Sequence, residues 1–600
     1  MRTIRLDRRV ANALAAGSLV ALAAGFGLGT ARGAEADGAG VVLLYNVHVF
    51  TAEYGAPYAE ALALRGDRIL AVGALSAVEK AAGATARRID LHGRFLMPGM
   101  IDAHAHPIGG PLVLGGGFTL VTPTFPDLSD SIPDLARFIG KTLDEGKGLI
   151  GDTLSVGDVD IGYWAHAAEL DAVLSSGRFA KVPIALIGSD GHTGWCNQVA
   201  RARAGITAQY LRSLTPAQRA YYGYGENFAP NGFVVDVGLT RMRQSLPQPS
   251  PELMLRAGQT AVKYLNSLGI TGWLDAAAAG VVGGDLPLKV SDPGSLPVYR
   301  ELSRRGELTA HVAAYPVIHP DGGVQQIEVV EALRAQFKDV PNLTVPGIKV
   351  FADGVVEFPS QTAALTKPYR NTGRSSPVLF DAQRFNALVT EADRRGLIVH
   401  IHAIGNLAVK ESLDAFGAAR KANPTGTLPH SMTHAQFVDA EDIPRFAQYR
   451  VIAALQLLWA VADPSTNEVV KPYIDPSIYQ TMYPARSMLE SGATIAGASD
   501  WPVSSPNPFE AMAQAETRTG PQGVLDADQR MPRAAMLYAY TRNSAQALNQ
   551  LDDIGTLAPG KRADLVLVDR DLLTGTAQEL REAKVVWTMF GGKIVYGTGP

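Results

Sequence analysis

The chain of 600 residues contains a single cysteine, Cys196, and no excess of positive charge. One cysteine excludes a disulfide within the chain, so the fold has to rest on its apolar core and on any bound metal. Lys and Arg number 54 against 58 Asp and Glu, a formal net charge of −4, and no arginine-rich run is present. This balance argues against nucleic acid as a partner. With 46% hydrophobic residues, the chain can bury a sizeable core.

Long apolar runs are absent except near the N terminus. Residues 1–34 combine a basic start, an apolar stretch from Val10 to Gly29 and small residues up to Ala34, which is the pattern of a signal peptide. We expect a periplasmic or secreted protein, exported by the Sec route or, given Arg8 and Arg9, by the twin-arginine route. The alternative is an uncleaved membrane anchor. After cleavage no stable membrane span is expected, because no second segment is apolar enough.

Strand-like apolar runs alternate with helical patterns through the middle of the chain, which is typical of parallel βα units. Eight runs are present, the number that closes a TIM barrel. We therefore predict an α/β fold with a (β/α)8 TIM barrel over residues 98–547. The runs are FLMPGMIDAHAH, ITGWLDAA, LTAHVAAYPVI, VPGIKVFADG, LIVHIHAIG, SMTHAQFV, VIAALQLLW and TIAGASDWPV.

Two further parts are predicted around this barrel. Roughly 160 residues separate the first run from the second, far more than a βα unit needs, so we place an inserted subdomain at residues 109–246 and expect it to cap the site. Both ends of the chain after the signal are rich in short strands broken by Gly and Asp turns. Residues 35–97 and 548–600 are therefore predicted to pack together as a small composite β-sandwich.

His104 and His106 form an H-x-H pair at the end of the first run. In a β-strand, residues i and i+2 point to the same face, so this spacing presents two imidazoles to one metal ion. The spacing alone also fits an exposed strand with two histidines on its wet face. The decision between these interpretations depends on residues further along the chain.

Four more polar residues lie toward the C-terminal ends of different predicted strands. A TIM barrel carries its active site at that end. Each residue alone could be a satisfied core group or part of a buried ion pair. Together with the H-x-H pair, they predict a metal-binding active site: Lys349 in GIKVFADG, His402 in IVHIHAIGN, His434 in MTHAQ and Asp500 in AGASDWP.

At these motifs the chain closely resembles the amidohydrolase superfamily, specifically the amidohydrolase family 3 group that includes N-substituted formamide deformylases. The resemblance covers almost all of the chain after the signal. It implies a metal-bearing TIM barrel with a composite β-sandwich built from both termini. The segments that carry it, in the family's order, are PGMIDAHAHP, KVFADG, HIHAIGN, THAQ, GASDWPV and IGTLAPGKRADLVLVD.

The resemblance also implies a set of metal ligands. His104 and His106 would bind a buried ion, His402 and His434 a more exposed one, and Lys349 would bridge both as a carboxylated lysine. Carboxylation would turn an ammonium that repels cations into an anionic ligand. One or two divalent ions per chain are expected, with zinc first and Mn²⁺ or Fe²⁺ as alternatives. The other interpretation of Lys349 is a buried ion pair with Asp353 and a single metal ion.

Asp500 is the expected acid and base of the reaction. It would ligate the metal or accept a proton from metal-bound water, and the resulting hydroxide would attack a carbonyl carbon. The same carboxyl group would return the proton to the leaving nitrogen. Amines leave poorly unless they are protonated, so one acid/base beside the metal suffices for amide cleavage.

Several neighbouring residues have two interpretations. His192, in SDGHTGWCN, resembles a family segment that faces the substrate, so it would hydrogen-bond a carbonyl as a catalytic residue or merely cap a loop. His400 shares the predicted strand face of His402, and we assign it a structural role. The family's acid and base in H-A-I-G-D-R-A are replaced by Asn406 and Leu407, which removes an ion pair or a substrate contact. Three tryptophans would wall an aromatic pocket or pack in the core: Trp195, Trp459 and Trp501.

The leading hypothesis is an exported metal-dependent hydrolase of C–N bonds other than peptide bonds, acting on a small-molecule N-acyl or N-formyl amide with an apolar or aromatic group. Esters, lactones or carbamates are the alternative substrates, and deamination is a further one. A non-catalytic periplasmic binding protein would be marked by lost ligands, yet every expected ligand position is filled. The oligomeric state stays open, a homodimer included.

Overall fold

A computed structural model describes residues 40–114, 131–146, 148–280 and 294–599. The predicted signal peptide, residues 1–34, lies outside the described residues. Within the described ranges, no helix combines the length and the apolar character that crossing a membrane requires.

Eight parallel strands form the central barrel sheet, and they coincide with the eight predicted runs. The fold class is therefore confirmed. Each strand pairs in parallel with the next one along the chain. The strands are β6 Met100–Ala105, β13 Ile270–Gly280, β14 His311–Val317, β16 Gly347–Phe351, β17 Ile398–Ala403, β18 Ser431–His434, β19 Ile452–Leu455 and β20 Ile495–Gly497.

Apolar residues on both faces explain why these runs form a parallel sheet. All six residues of β6 and all six of β17 are buried, so neither strand shows the in–out alternation of a solvated sheet. Helices cover the outer face, and the longer ones bury an apolar stripe at helical spacing. In Asn406–Ala422, directly after β17, that stripe includes Val409, Leu413 and Phe416.

The segment after β20 completes the barrel by pairing with β6. The backbone N–H of Asp500 donates to the carbonyl of His104 at 2.8 Å, and the N–H of His106 donates to the carbonyl of Trp501 at 2.8 Å. These two bonds take the place of a strand ladder between β6 and the segment after β20, where the barrel closes. They also bring the last predicted site residue beside the first two.

A buried carboxylate strengthens the same junction. Asp102 accepts hydrogen bonds from the backbone N–H of Ser499 at 3.0 Å, from the Ser499 hydroxyl, and from the N–H of His104 at 3.1 Å. Burial raises the pKa of Asp102 to about 7, against the effect of these hydrogen bonds. Asp102, which lies in the first motif, thus links β6 to the segment after β20 and stabilises the closure of the barrel.

Helices Pro251–Ser267 and Leu296–Arg304 flank β13, and the outer layer continues around the barrel. Its further helices are Gln326–Phe337, Ala382–Arg394, Asn406–Ala422, Ile443–Tyr449, Pro464–Asn467, Pro476–Tyr479, Ala485–Glu490, Pro508–Thr517, Arg533–Tyr538 and Ser544–Ala547. Two short pairings add to this part of the chain: β15 Leu343–Thr344 beside β14, and the hairpin of β21 Thr519–Gly520 with β22 Gly523–Val524.

Between β6 and β13 the chain forms a separate six-stranded sheet with its own apolar core. Its order is β11-β12-β10-β9-β8-β7. The strands are β7 Leu149–Ile150, β8 Thr153–Val159, β9 Ile184–Gly188, β10 Thr193–Cys196, β11 Tyr222–Tyr224 and β12 Pro230–Val235. The helices are Gly109–Leu114, Ile132–Asp144, Ala167–Leu174, Gln198–Arg203, Ala208–Ser213, Pro216–Arg219 and Val237–Ser245.

Both ends of the described chain share one eight-stranded mixed sheet. A C-terminal strand pairs antiparallel with an N-terminal one, with Leu567 opposite Leu96. Helices Leu75–Ala82 and Ala577–Arg581 accompany the sheet. Its strands are β1 Val41–Phe50, β2 Tyr58–Ala59, β3 Ala61–Arg65, β4 Arg68–Gly73, β5 Arg87–Pro98, β23 Leu565–Val568, β24 Val585–Phe590 and β25 Lys593–Gly597.

Truncation of the apolar side chain that joins the two termini tests this sheet. Leu567 is fully buried in the sheet's core, so Leu567→Ala should lower the free energy of unfolding by about 2–5 kcal/mol through the cavity it leaves. Thermal and urea unfolding would measure the loss. Tyr596→Ala, at an exposed position of β25, is the control and should stay within about 0.5 kcal/mol of the wild type. Equal stability of both variants would contradict this packing.

Candidate metal centre

The H-x-H pair of β6 faces the carboxylate of Asp500. Nε2 of His104 lies 3.2 Å from Asp500 Oδ1, and Nε2 of His106 lies 3.1 Å from the same oxygen. The His104 side chain is buried, whereas that of His106 is 28% exposed. Both imidazoles therefore converge on one point at the C-terminal end of the barrel. The alternative of an exposed strand with two wet histidines does not describe this arrangement.

Unusual backbone conformations aim the residues that follow β18 and β20. His434 has φ +69° and Asp500 has φ +57°, in the left-handed region that non-glycine residues seldom adopt. His434 Nδ1 lies 3.0 Å from Gln456 Oε1, and the amide nitrogen of Gln456 donates to Thr433, which fixes the amide orientation. The ring nitrogen Nδ1 must then donate, and Nε2 keeps its lone pair for a metal ion.

The donor set fits a divalent metal ion. One ring nitrogen each of His104 and His434 and one carboxylate oxygen of Asp500 all lie within 4.8 Å of one another. Burial holds the pKa of both imidazoles well below its usual value, so they are neutral ligands. Burial raises the pKa of Asp500, but the hydrogen bond from His106 and the neighbouring histidines and Lys349 outweigh it and bring that pKa to about 2. Neutral imidazoles with a carboxylate are the ligands that zinc uses in proteins.

His402 lies beside His434 with its ring fixed by the backbone. The two ring centroids are 4.5 Å apart. Nε2 of His402 is 3.0 Å from the carbonyl oxygen of Gly354, and a carbonyl can only accept, so Nε2 carries the proton. Nδ1 is then the atom that could bind a metal. Burial also lowers the pKa of this ring well below its usual value.

Lys349 is fully buried, and its Nζ has no hydrogen-bond partner among the described residues. Burial lowers the pKa of Lys349 to about 7, with the charge of Asp500 opposing the shift. The predicted alternative, an ion pair with Asp353, is not formed. The Asp353 carboxylate instead accepts three backbone N–H groups at 2.8–2.9 Å, from Ala364, Ile404 and Gly405.

His400 supports the metal centre from behind. Its Nε2 lies 2.6 Å from Nδ1 of His104, and its Nδ1 lies 2.7 Å from the hydroxyl of Ser431. If Nε2 of His104 offers its lone pair to a metal, Nδ1 of His104 must donate to His400, and His400 must donate to Ser431. His400, for which a structural role was predicted, thus fixes the tautomer of His104 in this arrangement.

The six-stranded sheet contributes His192 to the same region. Its ring centroid lies 5.1 Å from that of His402, and its Nδ1 lies 2.7 Å from Asp236 Oδ1. Burial lowers the pKa of His192, but the hydrogen bond and the charges of Asp236 and Asp190 outweigh burial and leave it raised. Asp236 was not predicted, because nothing in the sequence near it marks a site and its partner lies 44 residues away.

Aromatic side chains line part of the centre. Trp459 stacks on His434 with ring centroids 5.4 Å apart and planes 6° from parallel. Phe351 was not predicted although it lies two residues after Lys349, and its ring centroid is 5.2 Å from that of His402. Trp195 is buried in the core of the six-stranded sheet, so packing describes it better than a pocket wall.

The departure at Asn406 and Leu407 does not reach the metal ligands. The Asn406 amide donates to Thr366 and to the carboxylate of Asp439, and its oxygen accepts the backbone N–H of Thr366 at 3.0 Å. Asn406 is buried and begins the helix after β17. Its function in this chain is to hold two loops together.

Comparison with known proteins gives the family. The sequence model of the amidohydrolase family matches residues 87–596. The chain belongs to the amidohydrolase family. Membership confirms the prediction of a metal-dependent hydrolase that acts on C–N bonds other than peptide bonds, and with the donor cluster it supports a divalent metal.

Two relatives align along almost the whole chain. N-substituted formamide deformylase of Arthrobacter pascens is 24% identical over 574 residues, with 92% of this chain and 98% of that protein covered. Protein LONG AFTER FAR-RED 3 of Arabidopsis thaliana is 25% identical over 573 residues, with 93% and 92% covered.

Solved structures show the same fold. An uncharacterized metal-dependent hydrolase from Pyrococcus horikoshii superposes with a TM-score of 0.66 at 21% identity, covering 90% of this chain and 99% of that chain. A second, from Pyrococcus furiosus, has a TM-score of 0.63 at 22% identity, with 89% and 100% covered.

Removal of the His400 ring should weaken metal binding. His400→Leu takes away the acceptor that fixes the His104 tautomer, and we expect metal affinity to fall about 10–100-fold. His400→Gln, whose amide can still accept and donate, should recover part of the affinity. Competition with a chromophoric chelator would measure each value. His311→Leu, which removes a buried histidine bonded to Asp564 instead, is the matched control. Equal affinity in His400→Leu and wild type would contradict this role.

Proposed function

We propose that this protein is an exported amidohydrolase that cleaves the C–N bond of a small N-acyl or N-formyl amide with an apolar or aromatic group. The observation that carries the proposal is the placement of the Asp500 carboxylate between His104 and His106, at the point where the barrel closes. The similarity to N-substituted formamide deformylase supports the formamide class. The export signal in residues 1–34 supports a periplasmic or secreted location.

Zinc is the proposed ion, with one or two bound per chain. His104, His106, His402, His434 and Asp500 would hold it, as a hard carboxylate with neutral imidazoles suits zinc. When bound, a divalent ion supplies a Lewis acid that polarises a carbonyl group and lowers the pKa of water.

Lys349 completes the proposed ligand set as a carbamate. The support is its buried Nζ, which has no hydrogen-bond partner among the described residues. An uncharged amine can add to carbon dioxide through its lone pair; a new N–C bond forms, one proton is lost, and an anionic carboxylate results. That change removes the unfavourable placement of an ammonium group among histidines that face a cation.

The protein's own residues divide the chemistry of amide cleavage. Asp500 accepts a proton from the attacking water and gives it to the leaving nitrogen, since an amine departs readily only when protonated. His192 donates Nδ1–H to Asp236 and, as the imidazolium that this carboxylate favours, donates Nε2–H to the carbonyl oxygen as negative charge develops there. Trp459 and Phe351 offer apolar faces beside the reacting group, which favours an aromatic or aliphatic substituent.

Metal content and turnover test this proposal together. Mature protein purified in the presence of zinc and bicarbonate should contain one or two zinc ions by elemental mass spectrometry. It should release amine from a panel of N-formyl and N-acyl arylamines, and a chelator should abolish the release. Metal without amide turnover would refute the amide class and direct the same panel format to esters, lactones and carbamates. Turnover that resists complete metal removal would refute the metal chemistry.

Substitution of Lys349 tests the carbamate. Lys349→Ala should lose at least one metal ion and about 100-fold or more in turnover, because the anionic ligand is gone. Added formate or propionate should restore part of both, since a small carboxylate can enter the space. Lys349→Met fills that space and should not respond. Lys471→Ala, at an exposed lysine, is the control. Full metal content in Lys349→Ala would exclude a bridging role.

A further inference from the structure

Asp236 has a strained backbone conformation. Its φ is +45° and its ψ is −105°, outside the left-handed helical region and in the range that a type II′ turn reserves for glycine. Strain of this kind costs about 1–3 kcal/mol and persists where the surrounding structure requires it. A glycine would relieve it, so the side chain of Asp236 must supply something that outweighs the strain.

That side chain is directed at His192. Asp236 Oδ1 lies 2.7 Å from His192 Nδ1, and the two side chains are only 11% and 19% exposed. The backbones are joined as well, because the N–H of Asp236 donates to the carbonyl of His192 at 2.9 Å. A second carboxylate, that of Asp190, accepts the N–H of His192 at 3.1 Å. Asp190 thus fixes the backbone of His192, and Asp236 fixes its ring.

A glycine just after a barrel strand leaves room for the Asp236 carboxylate. Gly354 follows β16, and a Cβ atom built there would lie 2.1 Å from Thr362 Oγ1 and 2.5 Å from Asp236 Oδ2, so the absence of a side chain leaves room for both groups. The carbonyl of the same Gly354 accepts Nε2–H of His402 at 3.0 Å. Gly354 therefore lies against Asp236 of the inserted sheet and also accepts the ring proton of His402, a proposed metal ligand. The His192 and His402 rings consequently lie 5.1 Å apart.

We propose that Asp236 is the positioning residue for His192. Its carboxylate accepts Nδ1–H of the imidazolium and holds the ring so that Nε2–H can donate to the substrate carbonyl. Nε2 makes no hydrogen bond to the described residues, and it lies on the ring edge away from Asp236. The identity of the substrate in this inference rests on the proposed function. The pairing of Asp236 with His192 rests on geometry alone. It assigns to the inserted sheet a direct part in the reaction.

Asp236→Gly separates positioning from structural support. Glycine accepts the backbone conformation without strain, so the melting temperature should be retained or raised. The metal content should be unchanged, whereas kcat should fall about 100-fold because the ring of His192 is no longer held. KM should change much less, since a hydrogen bond to developing charge acts in the transition state. Asp526→Gly, at another aspartate with positive φ (+51°), is the matched control and should keep full activity.

A double-variant cycle tests whether Asp236 acts through His192. With His192→Ala already present, Asp236→Gly should cause no further loss of kcat. Asp236→Asn should also lose activity with an unchanged melting temperature, because a neutral amide does not favour the imidazolium that carries both Nδ1–H and Nε2–H. Parallel loss of stability and activity in Asp236→Gly, or additive losses in the double variant, would overturn the proposal.

Crystal structures keep the test independent of the substrate. In Asp236→Gly the His192 ring should leave its place beside His402, whereas in Asp526→Gly it should not. An unmoved ring in Asp236→Gly would overturn the positioning role even if turnover fell. If the wild type hydrolyses no N-acyl or N-formyl amide, the proposed function fails, and the position of this ring still decides the role of Asp236.

Discussion

The backbone hydrogen bond from Asp500 N–H to the His104 carbonyl is the contact on which the rest of the structure depends. A parallel barrel needs its first and last strands to meet, and here the last strand, β20, is only three residues long. The chain therefore closes the barrel with the segment beyond that strand. The bonds that complete the fold are thus made by site residues, and a carboxylate lies between two histidines because the sheet has to close there.

This arrangement concentrates ionisable groups in a place from which water is largely excluded. The described contacts satisfy most of them: Gln456 fixes His434, Gly354 fixes His402, and His400 fixes His104. Each partner takes a ring proton and leaves the other ring nitrogen as a lone pair. Lys349 is the exception, because its buried amine has no hydrogen-bond partner among the described residues and lies 4.7 Å from the centroid of the Phe351 ring. A centre in which His104, His402 and His434 are set as neutral ligands, and the Lys349 amine has no hydrogen-bond partner among the described residues, is organised for a cation and an anionic modification.

The barrel and the placement of the candidate site residues at its C-terminal end could be predicted because local patterns encode them. Each strand is a short apolar run, and the polar residue at its end follows from the period of the strand. Asp236 and Ser431 could not be predicted, because their roles depend on contacts with residues far along the chain. Asp236 contacts His192, 44 residues away, and Ser431 contacts His400, 31 residues away. Trp195 shows the converse, because its place in a site motif suggested a pocket wall while burial assigns it to a core.

The inserted sheet and the barrel contribute different groups to the candidate site. The barrel delivers ligands at fixed positions, and any carbonyl compound that fits could react there. The sheet adds His192 at a position set by two carboxylates, one of which retains a strained backbone. Strain is kept only where a specific side chain is needed. Substrate discrimination in this chain is therefore expected to reside in the contact between the inserted sheet and the loop around Gly354, where the proposed catalytic ring of His192, the carboxylate proposed to position it and a proposed metal ligand lie together.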